Sequence, residues 1–163
     1  MTRIYLSATM VSLRELGDTG NLPVSFAHAV TPGLREWYTE GDIEDLEYVA
    51  FTRAAQDALG LLAEQPAQPR RVVVSADLPD TAITVPTGEL GDSRVIVDAA
   101  VPSDRLAAIH IDGVDAEPDV TAALPFVAAA ATGDADAEFT LAACEDHELE
   151  WYDVSELDLL LQR

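Results

Sequence analysis

Lysine is absent from this chain, and basic residues of any kind are scarce. All nine are arginine, set against 30 aspartate and glutamate residues, so the formal net charge of the 163-residue chain is −21. Binding to nucleic-acid phosphates or to an anionic membrane surface requires a basic patch that neutralises the negative charge. The composition therefore argues against direct nucleic-acid binding and against a membrane partner, and it leaves a basic protein as the candidate partner.

Cysteine and long apolar runs are also scarce. Cys144 is the single cysteine, which excludes an intramolecular disulfide and a zinc site built on several thiolates. The longest apolar stretch, residues 122–131, contains a proline and falls well short of the roughly 20 residues that cross a bilayer. The N-terminus turns polar at Ser7 and lacks the apolar segment of a secretory signal. We predict a cytoplasmic protein.

The common catalytic motifs are missing as well. The chain contains no phosphate-binding glycine loop, no HExxH zinc helix, no EF-hand loop and no GxSxG nucleophile elbow. The sequence therefore predicts no metal and no cofactor, and any catalytic role would need a site without a common motif.

An apolar period of 3.6 residues marks the clearest element. Apolar residues recur from Ile43 to Leu61 at this spacing, which predicts an amphipathic helix over about 43–64. Asp42 is a candidate N-cap with Asp45 three residues later, and Pro66 ends the helix.

Short β-branched or aromatic runs predict the strands. They lie at residues 3–6, 24–30, 70–76, 94–98, 106–111 and 149–153, and the loop at 77–93 holds at most an edge strand at 82–85. Shorter helical segments are predicted at 13–16, 32–38, 118–131, 134–144 and 155–161, with Pro125 limiting the third of them. The pattern predicts a single two-layer α+β domain over 1–163, with a mixed sheet of about five or six strands packed by the long helix and several shorter ones.

Negative charge is concentrated in the C-terminal third. Residues 106–163 carry 14 carboxylates and one arginine. A solvated acidic face, or a composition bias of the genome or habitat, would account for this excess. A docking surface for a basic protein would account for it too, including a surface that mimics nucleic acid by placing carboxylates where phosphates would lie.

Both tryptophans adjoin a tyrosine and charged residues. Such pairs are either core anchors or interface hot spots, where Trp, Tyr and Arg dominate the binding energy. In an alternating strand only one residue of the pair Trp151–Tyr152 can face inward. The candidate partner-binding residues are Glu148, Glu150, Trp151, Tyr152, Arg35, Trp37 and Tyr38.

Histidine offers the alternative chemistry. His110 and Asp112 lie two residues apart on one face of a predicted strand, where a carboxylate could orient the ring, and His28 is a further candidate. A partly buried structural histidine fits the same pattern. Cys144 is followed by Glu145 and Asp146, which raise a thiol pKa, so we interpret it as a small core residue rather than a nucleophile.

Four segments together resemble a known family: residues 3–6 (RIYL), 31–38 (TPGLREWY), 109–112 (IHID) and 148–157 (ELEWYDVSEL). They are similar to a family of uncharacterised actinobacterial proteins known only as a domain of unknown function, and the resemblance spans essentially the whole chain. It implies that a shared site would lie in these segments, and it implies no activity.

The sequence favours a non-enzymatic protein-binding or regulatory module that uses its acidic C-terminal surface. One alternative is a small enzyme or ligand-binding domain with a pocket around His110 and Asp112. Another is a nucleic-acid mimic that binds a basic protein.

Overall fold

The computed structural model describes residues 1–86 and 88–162; Thr87, inside the predicted 77–93 loop, and Arg163 lie outside the described residues. The strands are β1 (Thr2–Ala8), β2 (Asn21–Leu22), β3 (Phe26–Ala29), β4 (Val72–Leu78), β5 (Ile83–Thr84), β6 (Arg94–Val97), β7 (Val101–Pro102), β8 (Leu106–Asp112) and β9 (Leu149–Tyr152). The α-helices are α1 (Met10–Thr19), α2 (Pro32–Trp37), α3 (Ile43–Glu64), α4 (Glu117–Ala123), α5 (Val127–Ala131), α6 (Ala135–Ala142) and α7 (Leu157–Leu161).

Seven strands form one sheet in the order β5-β6-β3-β1-β4-β8-β9, and β2 pairs with β7 in a separate ribbon. The predicted α+β class is confirmed. Every pairing among the described strands is antiparallel, where the sequence predicted a mixed sheet of five or six strands. A local pattern does not encode strand direction, because β1 pairs with strands that lie well beyond it in the chain. The strand count also differs, because β5 is only two residues long.

Helices cover both faces of the sheet, which gives three layers instead of the two that the sequence predicted. Ile4, Leu6 and Val74 face α1 and the C-terminal α7, whereas Tyr5 and Val73 face α3. The central strands are therefore apolar on both sides, and burial of each such Val, Leu or Ile contributes about 1.5–3 kcal/mol. This double burial holds β1 and β4 at the centre of the molecule.

Helix α3 has the predicted bounds, 43–64, and the predicted cap. The Asp42 carboxylate accepts the backbone N–H of Asp45 at 3.0 Å, and the Asp45 carboxylate accepts that of Asp42 at 3.2 Å. The apolar stripe is buried from Leu46 to Leu61, while Ile43 in the first turn is exposed. This helix positions one wall of the site described below.

The C-terminal third folds against α3 and then returns to the sheet. Pro125 separates α4 from α5, as predicted, with a 3-10 turn at 124–126 between them. Strand β9 then pairs with β8, and among the described strands it forms one edge of the sheet. Its register sets Trp151 opposite His110, on the face that carries α3.

Candidate functional site

An open cleft lies between the N-terminal half of α3 and strands β8 and β9. Its volume is about 530 Å³. Trp151 and Tyr48 stand on its walls with 61% and 69% of their surfaces exposed. We call it the aromatic cleft and define it by Tyr5, Glu47, Tyr48, Phe51, His110 and Trp151.

Ring contacts order the floor of the aromatic cleft. Phe51 meets the His110 ring edge-on, with the centroids 4.9 Å apart, and it meets Tyr5 in the same manner at 6.0 Å. The Tyr5 hydroxyl donates a hydrogen bond to Glu47 Oε2 at 2.9 Å. Burial and this hydrogen bond raise the pKa of Tyr5 well above its usual range. The hydroxyl therefore stays protonated and holds the Glu47 carboxylate in place.

His110 is a neutral side chain of this cleft. Burial, together with the nearby charge of Arg3, lowers the pKa of His110 to about 4. Its Nε2 lies 3.4 Å from the Ser75 hydroxyl, next to a β-bulge where the β4–β8 register shifts between Ser75 and Ala76. Bulges commonly re-aim side chains beside binding sites. At neutral pH the ring adds no positive charge.

The charge of the cleft is mostly negative. Glu44 and Glu47 line it, and no basic group of the described residues lies within ion-pair distance of either. Arg3 also lines it but is held by both oxygens of Asp77, at 2.7 and 3.0 Å. The two glutamates are thus left without a direct cationic partner.

Two further clefts adjoin the first along α3. The middle one, about 520 Å³, shares Tyr48 and Phe51 with the aromatic cleft and is walled by Glu145, Glu148 and Leu149. The third, also about 520 Å³, shares Gln56, Arg71 and Glu145 with the middle one and has alanine-rich walls from α5 and α6. We call the three together the α3 groove. From Glu44 to Glu64 it follows about 30 Å of helix.

The predicted acidic strand contributes only some of its residues to the α3 groove. Trp151 and Glu148 line it. Glu150 and Tyr152 belong to the opposite face of β9, where the Tyr152 hydroxyl donates to Glu150 Oε2 at 2.7 Å. The alternation of β9 therefore separates Trp151 from Glu150 and Tyr152, while Glu148 precedes the strand and lies on the groove side.

Asp112 does not share a cleft with His110. It is fully buried, and its carboxylate accepts the backbone N–H, Nε and Nη2 of Arg71, each at 2.8 Å. A carboxylate so completely paired is a structural group that anchors the start of β4 to the end of β8. The expectation of one pocket around His110 and Asp112 is therefore replaced by a cleft around His110 and an ion pair at Asp112.

His28 takes part in a separate internal cluster. Its Nδ1 lies 2.8 Å from Ser93 Oγ and its Nε2 lies 2.6 Å from Asp57 Oδ2, and Arg53 donates to the same serine at 3.1 Å. The residue types match a catalytic triad, but Ser93 is fully buried, so no substrate can reach its hydroxyl. The cluster ties β3 to α3 and to the segment before β6.

The remaining three candidate partner-binding residues lie near the opposite edge of the sheet from β9. They are Arg35, Trp37 and Tyr38. The backbone N–H of Gly91 donates to Gly33 at the start of α2, which places α2 beside the segment that leads into β6. Five strand spacings separate β6 from β9, about 24 Å. Trp37 packs on Gly91, whose φ of +87° suits glycine. The structure thus brings none of these three residues to the α3 groove.

Cys144 is buried, and burial raises the pKa of its thiol, in agreement with a core position. Among the described residues no group of three or more His, Cys, Asp and Glu side chains is placed to hold a metal ion. None of the helices in the described part of the chain is both long and apolar enough to span a membrane.

Sequence reasoning missed most of the α3 wall. Glu44, Glu47, Tyr48 and Phe51 follow the helical spacing i, i+3, i+4, i+7 and so form one stripe beside the buried one. This aromatic and acidic stripe was the feature of the sequence from which the α3 wall could have been predicted. Arg3 and Tyr5 gave no such signal, because the pattern at 3–6 predicts a strand but not which element lies against either of its faces.

The fold and the groove define an antiparallel α+β protein with an acidic, aromatic-walled cleft on one face of its sheet. Residues 2–161 match the model of a family of unknown function, DUF6912, and the chain belongs to that family. The predicted resemblance to a domain of unknown function is confirmed at this level; the actinobacterial source stays a prediction. No curated protein and no solved structure gives a significant match to the chain.

Proposed function

We propose that this protein binds a basic segment of another protein in the α3 groove. The observation that carries the proposal is the combination of exposed Tyr48 and Trp151 with glutamates that have no cationic partner within ion-pair distance among the described residues. Exposed aromatic side chains supply contact area, and unpaired carboxylates supply attraction for arginine or lysine. The free thiol of Cys144 fits a reducing cytoplasm as the place of action.

Charge along the groove supports the same occupant. Glu145 and Glu148 line its middle, and Glu64 and Glu138 line its far end. Arg71, the basic residue there, is already bound to the Asp112 carboxylate. A partner segment with several arginines or lysines would therefore meet a series of carboxylates, and a segment of about nine extended residues would span the groove.

The test uses Trp151 as the reporter. In a Trp37→Phe variant, Trp151 is the remaining tryptophan, so its fluorescence reports on the groove alone. The probe is a nine-residue peptide of alternating leucine and arginine, and its comparator carries citrulline, which is uncharged, in place of arginine. We expect saturable binding of the arginine peptide, weaker at about 1 M than at about 0.01 M salt because the charges are screened.

Two double variants separate the groove from general attraction to an acidic protein. Glu145→Gln with Glu148→Gln removes two carboxylates of the groove. Glu15→Gln with Asp18→Asn removes two exposed carboxylates of α1, which packs on the other face of the sheet. The proposal requires the first pair to weaken binding clearly more than the second. Equal losses would mean that net charge alone attracts the peptide, and the proposal would fail.

A small-molecule ligand is the second candidate, favoured by the neutral His110 ring next to Ser75 in the aromatic cleft. Clefts with apolar walls and a few convergent polar groups are typical ligand sites. Screening small cationic and neutral metabolite classes by the chemical shift of the His110 ring would test it. A ligand that shifts His110 and displaces no peptide would favour this candidate over protein binding.

A further inference from the structure

We infer that the aromatic cleft is an arginine subsite, which takes one guanidinium group of the partner against Tyr48 and Trp151 with Glu47 as its counter-ion. This inference rests on the proposed function and assigns the anchoring contact within it. The rest of the α3 groove is then a weaker, less selective continuation.

The Glu47 carboxylate is prepared for a cation. Its Oε2 accepts the Tyr5 hydroxyl at 2.9 Å, which fixes the carboxylate and leaves Oε1 available for a second donor. Glu44 stands one helical turn earlier on the same stripe of α3 and lines the same cleft. Charged carboxylates form hydrogen bonds with guanidinium groups that are roughly twice as strong as neutral ones.

The aromatic walls favour a flat cation over a compact one. Trp151 and Tyr48 expose more than half of their surfaces and line the same cleft as Glu47. A guanidinium is planar and weakly hydrated, so it stacks on aromatic faces while its edge donates to a carboxylate. An ammonium group is more strongly hydrated and gains less from such walls.

The other charged and titratable groups of the cleft are compatible with a guanidinium. Arg3 is held by Asp77 through two hydrogen bonds, although its charge also acts on Glu47 and His110. His110 stays neutral near pH 7 and keeps the floor uncharged. The Tyr5 hydroxyl is committed to Glu47. A cation entering from solvent therefore meets two carboxylates and one arginine that is paired with Asp77.

The experiment titrates N-acetyl-arginine amide into the Trp37→Phe protein and follows Trp151 fluorescence. N-acetyl-citrulline amide and N-acetyl-lysine amide are the comparators. We expect saturable binding of the arginine compound, no binding of citrulline, and weaker binding of lysine. No saturable change with the arginine compound, or equal affinities for arginine and lysine, would overturn the inference.

Matched variants locate the contact. Glu47→Gln should weaken binding about tenfold, since a charged hydrogen bond is lost, and Tyr48→Ala about two- to fivefold, as expected for an exposed cation–π contact. Glu15→Gln is the control: it makes the same change at an exposed position of α1, which packs on the other face of the sheet and lies outside the groove. Circular dichroism spectra that match the parent protein establish that each variant is folded. A loss at Glu15→Gln as large as at Glu47→Gln would contradict an arginine subsite.

Failure here is distinguishable from failure of the proposed function. If the leucine–arginine peptide binds and depends on Glu145 and Glu148 but is unaffected by Glu47→Gln, the groove binds basic segments and the arginine subsite is wrong. If the peptide does not bind at all, the proposed function itself is wrong.

Discussion

Gly60→Ala should stabilise the protein, because glycine is a poor residue for the position. Gly60 lies inside α3, four residues before its end, and a Cβ built there meets no atom within 4 Å. Alanine in a helix interior is favoured over glycine by about 0.5–1 kcal/mol, largely because it restricts the unfolded chain. With no clash to offset this gain, the free energy of unfolding should rise by that amount. For a chain of this size, Tm should rise by about 1–4 °C.

Gly20→Ala is the matched control. The Cβ of Gly20 would also meet nothing within 4 Å, but Gly20 ends α1 with φ at +78°, in the left-handed region. An alanine there is strained by about 1–2 kcal/mol regardless of space. The two substitutions are chemically identical and differ in backbone conformation, so their effects on stability should have opposite signs.

Urea unfolding followed by circular dichroism measures both variants against the parent protein, and a thermal scan measures Tm. The reasoning is refuted if Gly60→Ala lowers the free energy of unfolding, or if both variants shift it in the same direction. Gly60 lines the far end of the α3 groove, so peptide binding by Gly60→Ala should also be checked. One methyl group on the wall should leave the affinity nearly unchanged.

Three further outcomes follow from the same structure. Asp112→Ala should cost about 3–5 kcal/mol in urea unfolding because it leaves the Arg71 guanidinium buried and unpaired; a cost below 1 kcal/mol would contradict the structural role. His110 should titrate near pH 4 by NMR; since the unfolded ring binds its proton at higher pH, this group lowers stability as pH falls from about 6.5 towards 4. In the His110→Asn variant the free energy of unfolding should fall by about 1–2 kcal/mol less over this pH range, after allowance for a partly exposed ring. An unchanged pH dependence of stability would contradict the assignment of this effect to His110. Asp42→Ala should cost about 1 kcal/mol through loss of the α3 cap, measured by urea unfolding, and no change would contradict the cap.

Helix α3 shows how far local pattern reaches. Its bounds, its Asp42 cap and most of its buried stripe follow from spacing and from side-chain chemistry within a few residues. Helix α2 was likewise predicted, over 32–38, and the Thr31 hydroxyl accepts the Leu34 N–H at 3.1 Å. Capping and periodicity are local, so a sequence displays them directly.

The candidate site depends on contacts between distant residues. Trp151 and Glu148 were predicted as binding residues, and they line the groove, but Tyr5, Glu47 and Phe51 were not predicted. The Tyr5 hydroxyl donates to the carboxylate of Glu47, 42 positions later in the chain, and no local sequence pattern predicts such a pair. The role of these residues in binding stays a prediction.

Composition alone determined the charge of the protein, the scarcity of cations and the single thiol. Periodicity determined the long helix, and short β-branched or aromatic runs determined most strands. Tertiary structure decided which acidic and aromatic residues face one another, because the order β4-β8-β9 sets His110 beside Trp151 and sets both against α3. The tertiary structure also buries Asp112 in an ion pair with Arg71, since a carboxylate shielded from water is stable only when its oxygens are fully paired.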